Sequence, residues 1–297
     1  MAVMSANGEV GDGADGGTLR LPDGREVRFF DTAGGAASSA PTLVWHSGTP
    51  HTGRILGRLA EIAAERGLRV VSVARPGYGG STRLIGRSVA DAARDALAVL
   101  DHLGVERFAT VGASGGGPHA LALAALAGER ASGVATFASV GPYRDDDPEW
   151  FTGMASPGAL RAAARGLAAR TEHERTATFD EGVFTVADWA ALDGEWAELG
   201  QDAGAAESFA GPDGLLGGAL DDDCAFAADW GVDLGAITAH VLIVQGEEDR
   251  MVPAGHATRI LRLVPDATSW WFADDGHVSA LRALPHALDW LIEHGLR

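Results

Sequence analysis

The feature that most constrains the fold is an alternation of two periodicities along the first half of the chain. The runs TLVWH (42–46), LRVVSV (68–73), RFATVG (107–112) and GVATFASV (133–140) are short, β-rich and bounded by Gly or Pro, the pattern of strands buried on both faces. Between them, residues 54–67, 89–104 and 117–129 carry apolar side chains at helical spacing, with Gly67 and Gly104 placed as helix stops. Strand and helix in strict succession predict an α/β protein with a parallel sheet and helices on both faces. Ahead of these, LRL and REVRFF flank the turn residues Pro22, Asp23 and Gly24 and read as a hairpin.

The alternation breaks after residue 141. Residues 142–237 hold no convincing strand, several helix-like segments and many aromatics, including Trp150, Phe151, Phe179, Phe184, Trp189, Trp196, Phe209, Phe226 and Trp230. The pattern resumes with HVLIVQG (240–246), a helix near 254–264, TSWWFAD (268–274) and a final helix from about Val278 to His294. The expected organisation is therefore a tail over 1–17, a first core part over 18–141, a helical insertion over 142–237 and a second core part over 238–297. The tail is Gly, Asp and Ala-rich and has little to bury. Its glycines at 11, 13 and 16 match a dinucleotide-binding spacing, but no strand precedes them and no helix follows, so no cofactor is expected there.

Composition removes several kinds of chemistry. All 23 basic residues are Arg, so Schiff-base catalysis, pyridoxal phosphate attachment and a P-loop lysine are excluded. A net charge of -18 without a basic stripe disfavours nucleic acid and anionic membranes as partners. The one cysteine, Cys224, cannot form an internal disulfide and reads as a small packing residue. No Cys and His grouping has zinc-ligand spacing, and the acidic runs Asp145–Asp147 and Asp221–Asp223 read as solvated loop residues or helix N-caps, so no metal is expected. The first 30 residues lack a signal-peptide pattern and no apolar run approaches the roughly 18 residues of a membrane span. A cytoplasmic protein is expected.

The most informative stretch is TVGASGGGPHALAL, where Gly112, Ser114 and Gly116 form G-x-S-x-G directly between an expected strand and an expected helix. That context is what a nucleophile turn requires: a sharp bend, close backbone approach at the glycines, and a hydroxyl projecting above the sheet edge. A serine alone is a poor nucleophile and needs a base, which needs a group to orient it. His277 follows a Gly just beyond the last expected strand, and Asp249 sits just beyond the strand before it. The C-terminal ends of parallel strands gather at one edge, so Ser114, Asp249 and His277 can converge there. The rivals to Asp249 are Glu247, Glu248 and Asp145, while Asp274 and Asp275 stand too close in sequence to His277 to orient it. Oxyanion donors are expected from the N–H of Gly115 and from Gly48 or Thr49 in the loop HSGTPHTG. His119, on the helix after the nucleophile, reads as a satisfied buried histidine.

These pieces together resemble the α/β-hydrolase fold family, in its cap-bearing serine hydrolase branch. The resemblance covers nearly everything from residue 18 to 297 and rests on HSGTP, RPGYGGS (75–81), GASGG, GEEDRMVP and DGH. It implies a mostly parallel eight-stranded sheet, a helical cap inserted after the sixth strand, and attack of serine on an ester, thioester, amide or related carbonyl. The family's common HGxP loop is matched only with Ser47 in place of the His, which points to Thr49 for the oxyanion N–H, with Gly48 the alternative. Serine at position 114 sets aside the dehalogenase and epoxide hydrolase branches, which use a carboxylate nucleophile. The expected function is hydrolysis of a small, largely apolar ester, lactone or related carbonyl compound by Ser114, His277 and Asp249, without cofactor. A prolyl-type aminopeptidase and a non-catalytic ligand-binding protein on the same fold are the alternatives, and acyl transfer to an acceptor other than water uses the same residues.

Overall fold

A computed structural model describes residues 15–34, 38–144 and 147–296. Residues 1–14, which include most of the expected tail with Gly11 and Gly13, and Asp145 and Asp146 of the first acidic run, lie outside the described residues. Eight strands form one sheet in the order β1-β2-β4-β3-β5-β6-β7-β8. They are β1 (Asp15–Arg20), β2 (Glu26–Asp31), β3 (Thr42–His46), β4 (Arg69–Val73), β5 (Phe108–Ala113), β6 (Ala131–Phe137), β7 (Val241–Gly246) and β8 (Ala267–Phe272). The hairpin β1–β2 joins β4 antiparallel, and every other pairing is parallel.

The helices that alternate with the parallel strands are α1 (Gly57–Ala64), α2 (Val89–His102), α3 (Gly116–Ala127), and, later, α9 (Ala254–Leu263) and α10 (Leu284–Glu293). Strand side chains divide between two cores with the period of two that a pleated strand imposes. On β3, Val44 enters one core with residues of α2, α3 and α9, while Leu43 and Trp45 enter the other with residues of α1 and α10. Both faces of β3 to β7 are buried in this way, which is why those strands read as unbroken apolar runs. Local signals set the helix starts. In α2, Ser88 Oγ accepts from the Asp91 N–H at 3.3 Å while an Asp91 carboxylate oxygen accepts from the Ser88 N–H at 2.8 Å, a reciprocal cap.

Between Phe137 and Val241 the described residues hold no strand. They form α4 (Gly158–Ala163), α5 (Leu167–Glu174), α6 (Val186–Asp193), α7 (Ala197–Ala206) and α8 (Gly217–Phe226), with short 3-10 turns between. Two local expectations shift. The first strand starts at Asp15, inside the segment expected as tail, because Gly16 and Gly17 let the rings of Phe30 and Phe29 lie against the strand. A Cβ on Gly17 would stand 2.2 Å from the Phe29 ring. The final helix is not continuous from 278. A 3-10 turn (Ser279–Ala283) precedes α10, and Pro285, which lacks an N–H, fits the first turn of the new helix but could not continue the old one.

No helix among the described residues is long and apolar enough to cross a membrane. The C-terminal ends of the parallel strands and the loops that leave them share one edge; the insertion leaves β6 there, and the chain returns to the opposite edge to enter β7, whose Val241 pairs with Val134 of β6. Phe108, fully buried at the start of β5 and at the opposite edge, tests the core separately: Phe108→Ala is expected to lower the unfolding free energy by about 4 kcal/mol. Urea denaturation followed by tryptophan fluorescence measures it.

Candidate active site

Ser114 occupies the bend between β5 and α3 with φ +54°, a backbone state rare for a non-glycine residue. Its N–H donates to Phe137 O at 2.8 Å, tying the bend to the end of β6. The flanking glycines are required by close approach. A Cβ on Gly112 would sit 2.3 Å from Gly116 O, and a Cβ on Gly116 would sit 1.9 Å from His46 O. The spacing G-x-S-x-G thus reflects the end of β5, the start of α3 and the end of β3 meeting with no room for side chains.

Two loops complete the line. His277 Nε2 lies 2.9 Å from Ser114 Oγ, and His277 Nδ1 lies 2.8 Å from Asp249 Oδ2. With the imidazole neutral and its proton on Nδ1, Nδ1–H donates to the carboxylate and Nε2 accepts from the serine hydroxyl. Asp249 is buried, and its Oδ1 accepts from the N–H groups of Met251 and Val252 at 2.9 and 2.8 Å. Those bonds use the loop's own backbone to aim the second oxygen at the histidine. The rivals are elsewhere: Glu247 and Glu248 are exposed, Asp275 pairs with Arg282 at 2.6 Å, Asp274 is exposed, and Asp145 lies outside the described residues. Burial disfavours the charged imidazolium of His277, but the charge and hydrogen bond of Asp249, with Asp188 adding, outweigh it and leave the pKa raised above 6.5.

Asp188, at the third position of α6, carries no signal that the sequence analysis used. It is fully buried. One carboxylate oxygen shares a reciprocal cap with Thr185, accepting from its N–H at 2.9 Å. The other accepts from the Val278 N–H at 2.7 Å, the Ser279 N–H at 2.9 Å and the Ser279 hydroxyl at 3.0 Å. A Cβ on Gly276 would stand 2.1 Å from this carboxylate, so the Gly of DGH makes room for it. Asp188 therefore anchors the turn that carries His277 to a helix of the insertion.

The second acidic run is a clear correction. Asp221, Asp222 and Asp223 are neither solvated loop residues nor N-caps. They lie within α8, where Asp221 and Asp222 are buried and Asp223 half-buried. Successive helix positions point in different directions, and each aspartate meets different arginines: Asp221 takes Arg83, Asp222 takes Arg75 and Arg87, and Asp223 takes Arg170. Burial pushes Asp223 up to about 6, against the pull of Arg170. Asp147 of the first run caps a 3-10 turn, accepting from the Glu149 N–H at 3.1 Å. No group of side chains suited to hold a metal ion occurs among the described residues. His119 is buried as expected, and among the described residues its nearest polar partner is Asp222, with Nε2 3.4 Å from Asp222 Oδ1. Burial pushes its pKa down to about 4. Cys224 is half-buried, and burial pushes its thiol up to about 11.

A cavity of about 390 Å³ opens over Ser114 and His277, and Gly48, Thr49 and His51 form part of its wall. Its apolar surface comes from Phe179, Phe184, Trp189, Leu192 and Leu199 of the insertion, with Met251, Val278 and Leu281. The aromatics of the insertion divide accordingly. Trp150, Trp196, Phe226 and Trp230 are buried in packing, Phe179, Phe184 and Trp189 face the cavity, and Phe209 is exposed. Asp202 also reaches the wall, held by hydrogen bonds from the Thr52 N–H at 3.1 Å and the Thr52 hydroxyl, and burial raises its pKa.

The sequence profile of the α/β hydrolase fold matches residues 41–283. The chain belongs to the α/β-hydrolase fold family. A curated relative, the uncharacterized hydrolase YcgS of Bacillus subtilis, is 32% identical over 130 residues, 44% of this chain and 42% of that protein, so the match takes in less than half of the relative's length. Among solved structures, an esterase from Thermogutta terrifontis superposes with TM-score 0.62 at 18% identity, covering 95% of this chain and 100% of that one. A bromoperoxidase from Bacillus anthracis does so with TM-score 0.67 at 20% identity, covering 94% and 100%. At such identities the structural likeness speaks to the α/β-hydrolase fold alone.

The role of Asp188 is directly testable. Asp188→Ala leaves the Val278 and Ser279 donors buried without a partner, and is expected to cost about 3 kcal/mol at pH 7. Burial opposes ionisation of this carboxyl, yet the backbone donors of Ser279, Thr185 and Val278 hold it below 3.8. Its stabilisation is thus present above 3.8 and lost as pH falls through the lower folded pKa. Urea titrations of both proteins should converge in acid; a constant difference would show that ionisation of Asp188 is irrelevant.

Proposed function

We propose that this α/β hydrolase is a serine hydrolase that cleaves a small, largely apolar ester, lactone or related carbonyl compound through an acyl-enzyme. The observation that carries the reading is the unbroken line from Ser114 Oγ through His277 to Asp249, at 2.9 and 2.8 Å, opening into an apolar cavity. Ser114 Oγ attacks the carbonyl carbon as its proton passes to His277 Nε2. The imidazolium is stabilised by Asp249, and the oxyanion is met by the N–H groups of Gly115 and of Thr49 or Gly48. Collapse expels the alcohol, which takes the proton from His277. Water, activated by the same histidine, then releases the acid and restores the hydroxyl.

Residues 142–237 act in this reading as a cap, because they supply the aromatic wall that excludes water from the reacting atoms. A volume near 390 Å³ is at the lower end of small-molecule sites, which supports a compact substrate over a polymer. The net charge of -18 supports an uncharged substrate over nucleic acid. The reading places the protein in the cytoplasm, and no cofactor takes part. Asp202 favours the second reading, an aminopeptidase whose wall carboxylate receives a substrate ammonium. Its hydrogen bonds from Thr52 and its raised pKa weaken that reading. Faster turnover of proline 4-nitroanilide than of 4-nitrophenyl butyrate would reverse the order.

Reaction with a fluorophosphonate, followed by intact mass, is the direct test. The expected result is one phosphonyl group on the wild type and none on Ser114→Ala; a folded wild type left unlabelled would favour a ligand-binding protein. The pH profile provides a second. His277 must be neutral to accept the serine proton, so kcat/KM should rise with pH and level off, with a midpoint above 6.5 because Asp249 raises the folded pKa. A flat profile between about pH 5 and 8 would remove His277 from the mechanism.

A further inference from the structure

Asp222 belongs to α8, in the segment between β6 and β7, yet its carboxylate is bound by groups of the loops and helices that follow the early strands. Asp222 Oδ2 accepts from Thr49 Oγ1 at 2.7 Å, Arg75 Nη2 at 2.7 Å, Arg75 Nε at 3.1 Å and the Tyr78 hydroxyl at 2.8 Å. Asp222 Oδ1 accepts from Arg87 Nη2. The side chain has no exposure. Burial opposes its ionisation, but the charges of Arg75 and Arg87 hold it well below the ordinary carboxylate range. Burying these charges is costly in desolvation, and removing Asp222 would leave Arg75 and Arg87 buried without their counter-charge.

Arg75 carries the connection to the site. Its Nη1 donates to Ser47 O at 2.6 Å, and its Nη2 donates to Gly48 O at 2.8 Å and to Thr49 Oγ1 at 3.0 Å. A trans peptide is planar, with its C=O and N–H on opposite sides. Binding Ser47 O to Arg75 therefore turns the N–H of Gly48 away from the arginine, and binding Gly48 O does the same for the N–H of Thr49. Ser114 stands close to this loop: a Cβ on Gly48 would lie 3.3 Å from Ser114 Cβ and 3.8 Å from Ser114 Oγ. Among the described residues, the N–H groups of Gly48 and Thr49 donate to no protein acceptor.

We propose that Asp222, acting through Arg75 and the Thr49 hydroxyl, is the positioning residue of the oxyanion hole: it holds the peptide planes that aim the Gly48 and Thr49 N–H groups. The proposal rests on the serine hydrolase reading given above. It makes the hole a joint product of the early loop and a helix of the insertion, so the hole is complete only while α8 is seated. Asp221 supplies a matched control. It also ties α8 to the rest of the chain, through paired hydrogen bonds from Arg83 at 2.7 and 2.9 Å, but no hydrogen bond links either residue to the 47–50 loop among the described residues.

The test compares Asp222→Asn, Thr49→Val and Asp221→Asn with the wild type, using 4-nitrophenyl butyrate and amide hydrogen exchange of residues 47–50. Asp222→Asn is expected to lower kcat by about 10²-fold, the scale of a misplaced or lost oxyanion donor, with KM changed less than about threefold. Loop amides should exchange faster in the same variant. Asp221→Asn should leave kcat within about twofold and loop exchange unchanged, since the bonds of Asp222 to Arg75, Arg87, Tyr78 and Thr49 remain and keep α8 seated. Thr49→Val, which keeps its N–H but loses the bond to Asp222, should reproduce the effect in smaller degree and decides the matter if Asp222→Asn does not fold. Equal losses in the Asp221 and Asp222 variants, or unchanged kcat and exchange in both Asp222→Asn and Thr49→Val, would overturn the proposal. If the wild type hydrolyses no ester, the serine hydrolase reading fails by itself, and the exchange data still decide whether Asp222 holds the loop.

Discussion

The architecture depends on one close approach of backbones, where the end of β3, the end of β5 and the start of α3 meet around Ser114. Glycines at 112 and 116 are the condition for it, since a Cβ at either would press into a carbonyl oxygen. Ser114 accepts a left-handed backbone as a result, and the hydroxyl is lifted out of the sheet edge instead of being turned into it. Everything else at this edge is arranged around that atom: the histidine turn after β8, the aspartate turn after β7, and the loop after β3.

Buried carboxylates hold those loops to one another. Asp249 is aimed by the Met251 and Val252 N–H groups of its own loop, Asp188 grips the histidine turn from α6, and Asp222 grips the loop after β3 from α8. In two of these cases the gripping residue lies in the insertion and the gripped turn lies in the sheet-bearing part. The insertion is thus joined to the site by ionic hydrogen bonds as well as by the aromatic wall of the cavity. The absence of lysine has a consequence here. Arg75 spans Asp222, two loop carbonyls and a hydroxyl at once, which the planar, multi-donor guanidinium can do and a single ammonium cannot.

The fold was legible because strands buried on both faces leave unbroken apolar runs, and because helix stops and caps are local signals. The meeting of Ser114, Asp249 and His277 was legible for a related reason: parallel strands bring their C-terminal ends to one edge, and each residue stands just after such an end. Asp188 and Asp222 were not legible in the same way. A capping aspartate in α6 looks like any other helix start, and three aspartates in succession look like a solvated turn. What distinguishes them is burial against particular donors distant in the chain, Val278 and Ser279 for one, Arg75, Arg87 and Thr49 for the other.

The sequence by itself determined the class of fold, the order of its elements and the residues that meet at the edge of the sheet, since each of these follows from short-range patterns and one topological rule. Only the tertiary structure decided which acidic residues are buried, which aromatics line the cavity and which pack, and how the loop after β3 is held. Those outcomes depend on long-range electrostatic pairing and on desolvation, and both are properties of an assembled interior that no short stretch of chain contains.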